Sequence, residues 1–211
     1  MFEIEYKGAN SIIISTKKSK LVFDPKLSLV GLNDINVKDA VELATEERFA
    51  LNDGDAKLVI SSPGEYGVAG FDILGIAARR HLDSETEGKI STMYRVEIDG
   101  TRVGIIGNIY EKLSDEQLEQ LGVLDILVIP VGGNGYTLDA TGAISLIRMI
   151  DPKIVIPVHY ADNSLKYEVP QDELKTFISE LGAPVETVSK YKFKQLPIAS
   201  NVVSVIEITR S

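Results

Sequence analysis

The sequence DILVIPVGGNGYTLD, residues 125–139, runs from an apolar segment through a glycine-rich loop into a helical pattern. Asp125 to Val131 predicts a buried strand, because every residue from Ile126 onward is apolar or proline. Leu138 to Met149 predicts a helix with one apolar side, which the pair Asp151-Pro152 ends. A strand, a glycine-rich loop and a helix in this order are typical of folds that layer helices on a sheet.

The loop itself is a candidate binding site. Its residues Gly132, Gly133 and Asn134 leave the strand, and Asp139 lies at the start of the helix. Backbone amides of such a loop, together with a helix N-terminus, can hold an anion. Asp139 could also simply cap the helix by accepting from its first free amides. Both interpretations of Asp139 stay open at the level of the sequence.

A second apolar run, IVIPVHY, ends in a polar pair. Lys153 to Val158 predicts a buried strand, which places His159 and Tyr160 at its carboxyl end. Farther on, Pro170 to Leu181 predicts a helix and Asn201 to Thr209 a final strand. Side chains at strand ends are often functional, so His159 is a candidate catalytic residue or ligand.

The first half of the chain is rich in short β-type runs. Asp99-Gly100 predicts a tight type I′ hairpin, because both positions tolerate positive φ. Ser114, with Gln117 three residues later, predicts a capping box and a helix start. The segment Val37 to Leu51 is ambiguous, and propensity alone favours a helix there. The predicted strands are residues 2–6, 11–15, 20–23, 57–61, 71–77, 92–98 and 102–106.

Composition limits the chemistry. The chain has 211 residues, no cysteine and two histidines, with 22 basic and 31 acidic residues and a net charge of −9. Thiolate zinc sites and disulfides are therefore excluded. A two-zinc site of the common hydrolase type needs more histidines than His81 and His159 provide. This length predicts one domain, residues 1–211, with two halves at about 1–106 and 107–211.

The remaining composition bears on partners and location. The sequence pI of about 4.8 argues against nucleic-acid binding. No apolar run reaches the ~20 residues that cross a bilayer, so membrane insertion is not expected. The segment MFEIEYKGAN lacks the basic and apolar regions of a signal peptide, which predicts a cytoplasmic protein.

Several of these segments together resemble one family, the metallo-β-lactamase fold hydrolases related to ascorbate-6-phosphate lactonase. The resemblance covers nearly the whole chain. Five segments carry it: Gly8-Ala9-Asn10, Asp24-Pro25, Pro63 to Tyr66, Pro130 to Asp139, and Ile156 to Tyr160. It implies a four-layer αββα sandwich, and it changes the interpretation of the ambiguous segment to a strand over Asp39 to Thr45. Relatives of this branch are commonly oligomeric, so a homo-oligomer is possible here.

The resemblance also implies where metal ligands would lie. The family's histidine-rich ligand loop corresponds to Thr45 to Leu51, TEERFAL, which contains no histidine. The bridging aspartate corresponds to Asn108, which cannot be anionic. His81 and His159 match ligand positions of two different metal ions, so each site would keep one histidine. Glu46 and Glu47 could substitute, although adjacent carboxylates rarely converge on one ion.

Two functional hypotheses follow from this pattern. In the first, the chain has a degenerate metal site and no cofactor, and it binds a small anion or acts as a scaffold, with Asp24 and the glycine-rich loop as candidate ligand residues. In the second, it hydrolyses a phosphorylated sugar lactone or a phosphoester, either with one zinc or manganese ion held by His81, His159 and Asp139 or without metal. His159 would then be the base or ligand, Asn108 a hydrogen-bond donor, and Tyr160 or His81 a proton partner.

Overall fold

The structure is a computed structural model of the chain, and it describes residues 1–52, 54–81, 90–194 and 202–211. The described residues of the first half form nine strands: β1 (Phe2–Gly8), β2 (Ser11–Ser15), β3 (Lys20–Phe23), β4 (Val41–Leu43), β5 (Leu58–Ile60), β6 (Gly64–Val68), β7 (Phe71–Ala78), β8 (Ser91–Ile98) and β9 (Thr101–Ile105). Two short 3-10 helices, Leu27–Val30 and Glu47–Phe49, follow β3 and β4.

The second half alternates helices and strands. Its elements are α1 (Asp115–Leu121), β10 (Ile126–Pro130), α2 (Ala140–Ile150), β11 (Ile154–Val158), α3 (Leu174–Leu181), β12 (Val185–Val188), β13 (Tyr191–Phe193) and β14 (Ser204–Ile208). Within the described residues, no helix is long and apolar enough to cross a membrane.

The strands form two sheets. Within the described part of the chain, one sheet has six strands in the order β13-β1-β2-β3-β4-β5, and the other has eight in the order β12-β14-β11-β10-β9-β8-β7-β6. Side chains of both sheets, such as Ile4, Phe23, Tyr94 and Ile156, meet in one buried core. The predicted two-sheet fold is therefore confirmed. Strands β6 to β9 belong to the eight-stranded sheet and β13 pairs with β1, so each half of the chain contributes strands to both sheets.

The outer faces of the sandwich are covered differently. Side chains of α1, α2 and α3, including Leu121, Leu146 and Phe177, pack in one cluster with residues of the eight-stranded sheet. On the six-stranded sheet, Val22 packs with Val37 and Ala40 from the loop before β4. Among the described residues the α-helices thus lie on one side of the sandwich.

Local sequence signals agree with the structure at most turns. Asp99 and Gly100 both have positive φ, 50° and 76°, as the predicted hairpin requires. Ser114 and Gln117 form the capping box of α1, and Asp139 caps α2 by accepting from the Gly142 amide at 2.7 Å.

Some element boundaries differ from the sequence predictions. The segment Val37 to Leu51, for which propensity alone favours a helix, contains strand β4, as the family resemblance implied. Helix α3 begins at Leu174 rather than Pro170, and residues 170–173 before it are not helical. Strands β6, β12 and β13 were not predicted. Of the predicted final strand, Asn201 lies outside the described residues and β14 begins at Ser204.

Candidate functional site

Loops at the carboxyl ends of β3, β4, β10 and β11 enclose a pocket of about 620 Å³, including its open mouth. The turn between β1 and β2 and the segment 167–171 before α3 complete its lining. We call this the Asp24–His159 pocket. Its lining residues are Ala9, Asn10, Ser11, Asp24, Lys26, Leu27, Leu29, Val30, Arg48, Phe49, Tyr136, His159, Tyr167, Glu168, Val169 and Gln171. Concave sites with a few converging polar groups are the usual form of a ligand site.

His159 is held rigidly in this pocket. It has a positive φ of 52°, and its amide donates to Ala9 O at 2.8 Å. Its ring stacks on Tyr136 with centroids 5.6 Å apart, and it lies 4.8 Å from the ring of Tyr167. The side chain is 3% exposed. Backbone and rings together fix the imidazole at the carboxyl end of β11.

A glutamine determines which nitrogen of that imidazole carries the proton. Gln171 donates from Nε2 to Val169 O at 3.0 Å, which makes its Oε1 the acceptor facing His159. His159 Nδ1 lies 3.1 Å from Gln171 Oε1, so Nδ1 carries the proton and donates. Burial lowers the pKa of His159 to about 4, and the hydrogen bond to Gln171 opposes this only in part. At neutral pH the ring is uncharged, with the lone pair on Nε2.

Asp24 is the buried carboxyl group of the pocket. Its Oδ1 accepts from the Thr45 amide and its Oδ2 from the Thr45 hydroxyl, both at 2.7 Å. Burial raises the pKa of Asp24 to about 7, against these two hydrogen bonds. Asp24 also has a positive φ of 48°, and Ser11 donates to its carbonyl oxygen. The carboxyl group thus titrates near neutrality beside the ligand space.

The loop after β4 carries an ion pair. Arg48 donates from Nε to Glu46 Oε2 at 2.8 Å, and Nη1 of Arg80 lies 3.4 Å from the same oxygen. Arg48 Nη2 also donates to the Tyr136 hydroxyl at 2.7 Å, and its guanidinium lies over the Phe49 ring. Burial lowers the pKa of Arg48, but the Glu46 carboxylate outweighs this and raises it. Arg48 is therefore a permanent cation at the pocket wall.

The other predicted catalytic residues lie elsewhere. Asn108 is buried behind the pocket, where its Oδ1 accepts from Asn10 Nδ2 at 2.8 Å. Tyr160 packs on Tyr6 with ring centroids 5.6 Å apart, and burial raises its pKa to about 12. Such a phenol is a poor proton donor or acceptor near neutrality. His81 follows β7, where its amide donates to Asn108 O at 3.0 Å.

The glycine-rich loop contributes Tyr136 to the pocket lining, whereas Gly132, Gly133 and Asn134 are not among the lining residues. The Gly133 amide donates to Leu138 O at 2.9 Å, and the amides of Tyr136 and Thr137 donate to Gly133 O. Asn134 donates from Nδ2 to Asp172 Oδ1 at 3.2 Å. These contacts organise the loop internally, and its side chain Tyr136 is what reaches the pocket.

Gly132 serves the site by its small size. A Cβ atom at this position would lie 2.2 Å from His159 O and 2.3 Å from Gln171 Oε1. The Gly132 carbonyl also accepts from the Asp172 amide at 2.7 Å. The glycine therefore allows the segment around Gln171 to approach the end of β10 and to reach the imidazole.

The donor set does not fit a dinuclear metal centre. Among residues 1–52, 54–81, 90–194 and 202–211, no three His, Cys, Asp or Glu side chains are grouped as metal ligands would be. The carboxylate of Glu46 is bound by two arginines, and that of Asp24 by Thr45. A guanidinium in the loop after β4 adds positive charge where a metal site needs negative ligands.

Sequence reasoning missed several residues of this pocket. Arg48, Gln171 and Tyr167 had no predicted role, and Tyr136 was named only as part of the glycine-rich loop. The run Glu46-Glu47-Arg48 carried a usable signal, because opposite charges two residues apart can pair in a tight 3-10 turn. Gln171 carried none, since it was assigned to a helix that begins three residues later.

Comparison with known proteins agrees with this architecture. The family model of the β-lactamase superfamily domain matches residues 3–159. A UPF0173 metal-dependent hydrolase of Thermococcus onnurineus is 28% identical over 139 residues, which cover 59% of this chain and 62% of that protein. Another UPF0173 metal-dependent hydrolase, from Methanopyrus kandleri, is 25% identical over 215 residues, which cover 89% of this chain and 91% of that protein. The first match thus spans less than two thirds of its relative's length.

Solved structures show the same fold. A metallo-β-lactamase superfamily structure from Thermotoga maritima has a TM-score of 0.78 and 23% identity, covering 99% of this chain and all of that chain. Igni18, a metallo hydrolase from Ignicoccus hospitalis, has a TM-score of 0.65 and 17% identity, covering 86% of this chain and 90% of that chain.

Proposed function

The chain belongs to the β-lactamase superfamily, and from this premise we propose that it binds a small anion in the Asp24–His159 pocket without a dinuclear metal centre. The observation that carries the proposal is the Glu46–Arg48 ion pair. It lies in the loop to which the family resemblance assigns the metal ligands, and its guanidinium faces the pocket. A fixed organic cation then provides the positive charge that attracts an anion.

The charges around the pocket support an anionic ligand. Arg48 and Lys26 in the lining are cationic and Glu168 is anionic, while burial raises the pKa of Asp24 to about 7 and so reduces its negative charge at neutral pH. The carboxylate of Glu46 is compensated by Arg48 and Arg80. The hydrogen bonds of Arg48 to described residues use Nε and Nη2, which leaves Nη1 for a ligand. A guanidinium with free N–H groups suits carboxylate and phosphate oxygens.

A second candidate function has support from the relatives, which are named metal-dependent hydrolases. In this alternative the chain hydrolyses a phosphorylated sugar lactone or a phosphoester with one metal ion. His159 would contribute its Nε2 lone pair to that ion, and the ion would polarise the substrate. The described residues add no further ligands around His159, so we rank this candidate second.

Metal analysis and anion binding together test the first proposal. The purified full-length protein is analysed for zinc, manganese and iron, and phosphate and acetate binding is then measured by calorimetry with and without EDTA. We expect less than 0.1 equivalent of metal, roughly the level of adventitious binding, and an anion affinity that EDTA does not change. Arg48→Gln should weaken anion binding about tenfold, as loss of a charged hydrogen bond does.

The controls separate the two candidates. Arg102→Gln removes an exposed arginine that pairs with Glu97, away from the pocket, and it should bind anions like the parent protein. Circular dichroism checks that each variant is folded. A full equivalent of metal that His159→Ala removes, with hydrolysis that EDTA abolishes, would overturn the proposal in favour of the second candidate.

A further inference from the structure

One wall of the Asp24–His159 pocket is apolar. The 3-10 helix after β3 contributes Leu27, Leu29 and Val30, and Phe49 and Val169 face the same space. Leu29 is 49% exposed. Apolar surface covered by a ligand gains about 25 cal/mol per Å². An inorganic anion would leave this wall in contact with water, so the wall favours a ligand with an apolar portion.

His159 gives the pocket a hydrogen-bond acceptor. Gln171 fixes the proton of His159 on Nδ1, so Nε2 keeps its lone pair. An uncharged imidazole nitrogen of this kind accepts from an O–H or N–H group and does not attract a carboxylate or phosphate. A ligand that satisfies His159 must therefore carry a hydrogen-bond donor in addition to its negative charge.

The cation and the acceptor both lie beside Tyr136. The Arg48 guanidinium carbon lies 5.6 Å from the ring centroid of Tyr136, and the His159 ring centroid lies 5.6 Å from the same centroid. Both groups therefore contact one tyrosine ring. Arg48, His159 and the apolar wall all line the same pocket, so one ligand bound in it can contact all three.

From these three features we infer that the pocket takes an organic hydroxy acid with an apolar body. Its anionic group lies on Arg48, its hydroxyl donates to His159 Nε2, and its hydrocarbon part covers Leu29 and Val30. This inference rests on the proposed anion-binding function and specifies the ligand class. It departs from a sugar phosphate, whose polar ring would leave the apolar wall without a partner.

A ligand series tests the three contacts separately. Calorimetry at pH 7 on the full-length protein compares acetate, hexanoate, 2-hydroxyhexanoate and 3-hydroxyhexanoate. We expect hexanoate to bind about tenfold more tightly than acetate, because part of its chain is buried. At least one hydroxyhexanoate should bind a further ~3- to 10-fold more tightly than hexanoate, the range for one added hydrogen bond.

Variants assign each gain to a residue. Leu29→Gln should reduce the advantage of hexanoate over acetate, whereas Leu58→Gln should not, since Leu58 is an exposed leucine outside the pocket. His159→Phe keeps a ring between Tyr136 and Tyr167 but removes the acceptor, so the hydroxyl should no longer improve binding. Chemical-shift changes in ¹⁵N-labelled protein confirm that each variant binds at the same place.

The outcomes distinguish this inference from the function on which it rests. If the acids bind but neither chain length nor hydroxyl changes their affinity, the hydroxy-acid inference is wrong and anion binding stands. If glucose 6-phosphate binds more tightly than every hydroxyhexanoate, the inference is also wrong. If neither phosphate nor any acid binds, the proposed anion-binding function is wrong, and the hydroxy-acid inference that rests on it is wrong as well.

Discussion

The carboxylate of Glu46 lies against the guanidinium of Arg48, with Oε2 2.8 Å from Nε and Oε1 3.4 Å from Nη2. The Glu46 side chain is 4% exposed, whereas that of Arg48 is 38% exposed. The pair therefore spans from the protein interior to the pocket wall. It anchors one cationic side chain beside the ligand space, and Arg80 supplies a second positive charge to the same carboxylate.

Glu46→Gln should destabilise the protein and loosen Arg48. The buried carboxylate would be lost while two guanidinium groups remain beside its position, and breaking a buried pair typically costs about 3–5 kcal/mol. Because Arg48 is partly exposed, we expect a smaller loss of roughly 2 kcal/mol in the free energy of unfolding measured in urea. Glu47→Gln, which changes the exposed neighbour, is the matched control and should alter stability by less than ~0.5 kcal/mol. Equal losses in both variants would contradict the role of the pair.

Asn108→Asp alone should not confer metal binding. The new carboxylate would lie beside Asn10, while the loop after β4 would still hold the Glu46–Arg48 pair. Combining it with Glu46→His and Arg48→His removes the guanidinium and supplies two imidazoles, and this triple variant should bind zinc at least tenfold more tightly than the single variant, because affinity requires several convergent ligands. Competition with a zinc-binding dye measures both. Strong zinc binding by Asn108→Asp alone would show that the loop is not the limiting feature.

The difference between what the sequence predicted and what it missed has a physical basis. Asp99-Gly100 and Ser114 were predicted because hairpin turns and helix caps depend on residues within a few positions of one another. Strand β6, GEYGV, contains two glycines, which have low strand propensity, so its sequence does not predict a strand. It is formed by antiparallel pairing with β7. The His159–Gln171 contact joins two loops, so it requires the tertiary fold. The strand ends with Asp24 and His159 could be predicted from the sequence, whereas the contacts of Arg48 and Gln171 could not, because they join separate loops.

Gln171→Glu should raise the pKa of His159 from about 4. The native amide oxygen accepts from Nδ1 and leaves burial as the dominant influence, which favours the uncharged ring. A carboxylate at the same position would favour the imidazolium and should raise the pKa by at least one unit. Gln171→Leu, which removes the acceptor, should leave the pKa at or below the native value. Two-dimensional NMR of the ring nitrogens measures the pKa and shows directly whether Nδ1 carries the proton.

The stability of the protein should depend on pH through Asp24 and His159 in opposite directions. The pKa of Asp24 is raised from 3.8 to about 7, so its contribution is present below about pH 4 and is lost as the pH rises to about 7. The pKa of His159 is lowered from 6.5 to about 4, so its contribution is present above about pH 6.5 and is lost as the pH falls to about 4. Between about pH 4 and 6.5 the loss of stability through Asp24 and the gain through His159 therefore largely cancel as the pH rises.

Asp24→Asn should expose the effect of His159 alone. The free energy of unfolding of this variant should rise with pH between about 4 and 6.5, by on the order of 3 kcal/mol, since each pKa unit corresponds to about 1.4 kcal/mol. Urea unfolding at half-unit steps of pH measures this slope. Asp34→Asn, which changes an exposed carboxylate that accepts from the Ser28 amide, should keep the flatter native profile. A variant Asp24→Asn that is as flat as the native protein would contradict the raised pKa of Asp24.

Gly132→Ala should disrupt the pocket without changing any polar group. The added methyl would lie 2.2 Å from His159 O and 2.3 Å from Gln171 Oε1, so one of the two strand ends must move. Overpacking of this kind typically costs about 1–3 kcal/mol, and the displaced Gln171 would no longer fix the proton on Nδ1. Gly67→Ala is the matched control, because its nearest contact to a new Cβ is Asp72 Oδ1 at 3.9 Å. Urea unfolding measures the stability, and the ring-nitrogen spectrum of His159 reports the pocket. An unchanged His159 spectrum in Gly132→Ala would mean that the close approach at Gly132 does not position the imidazole.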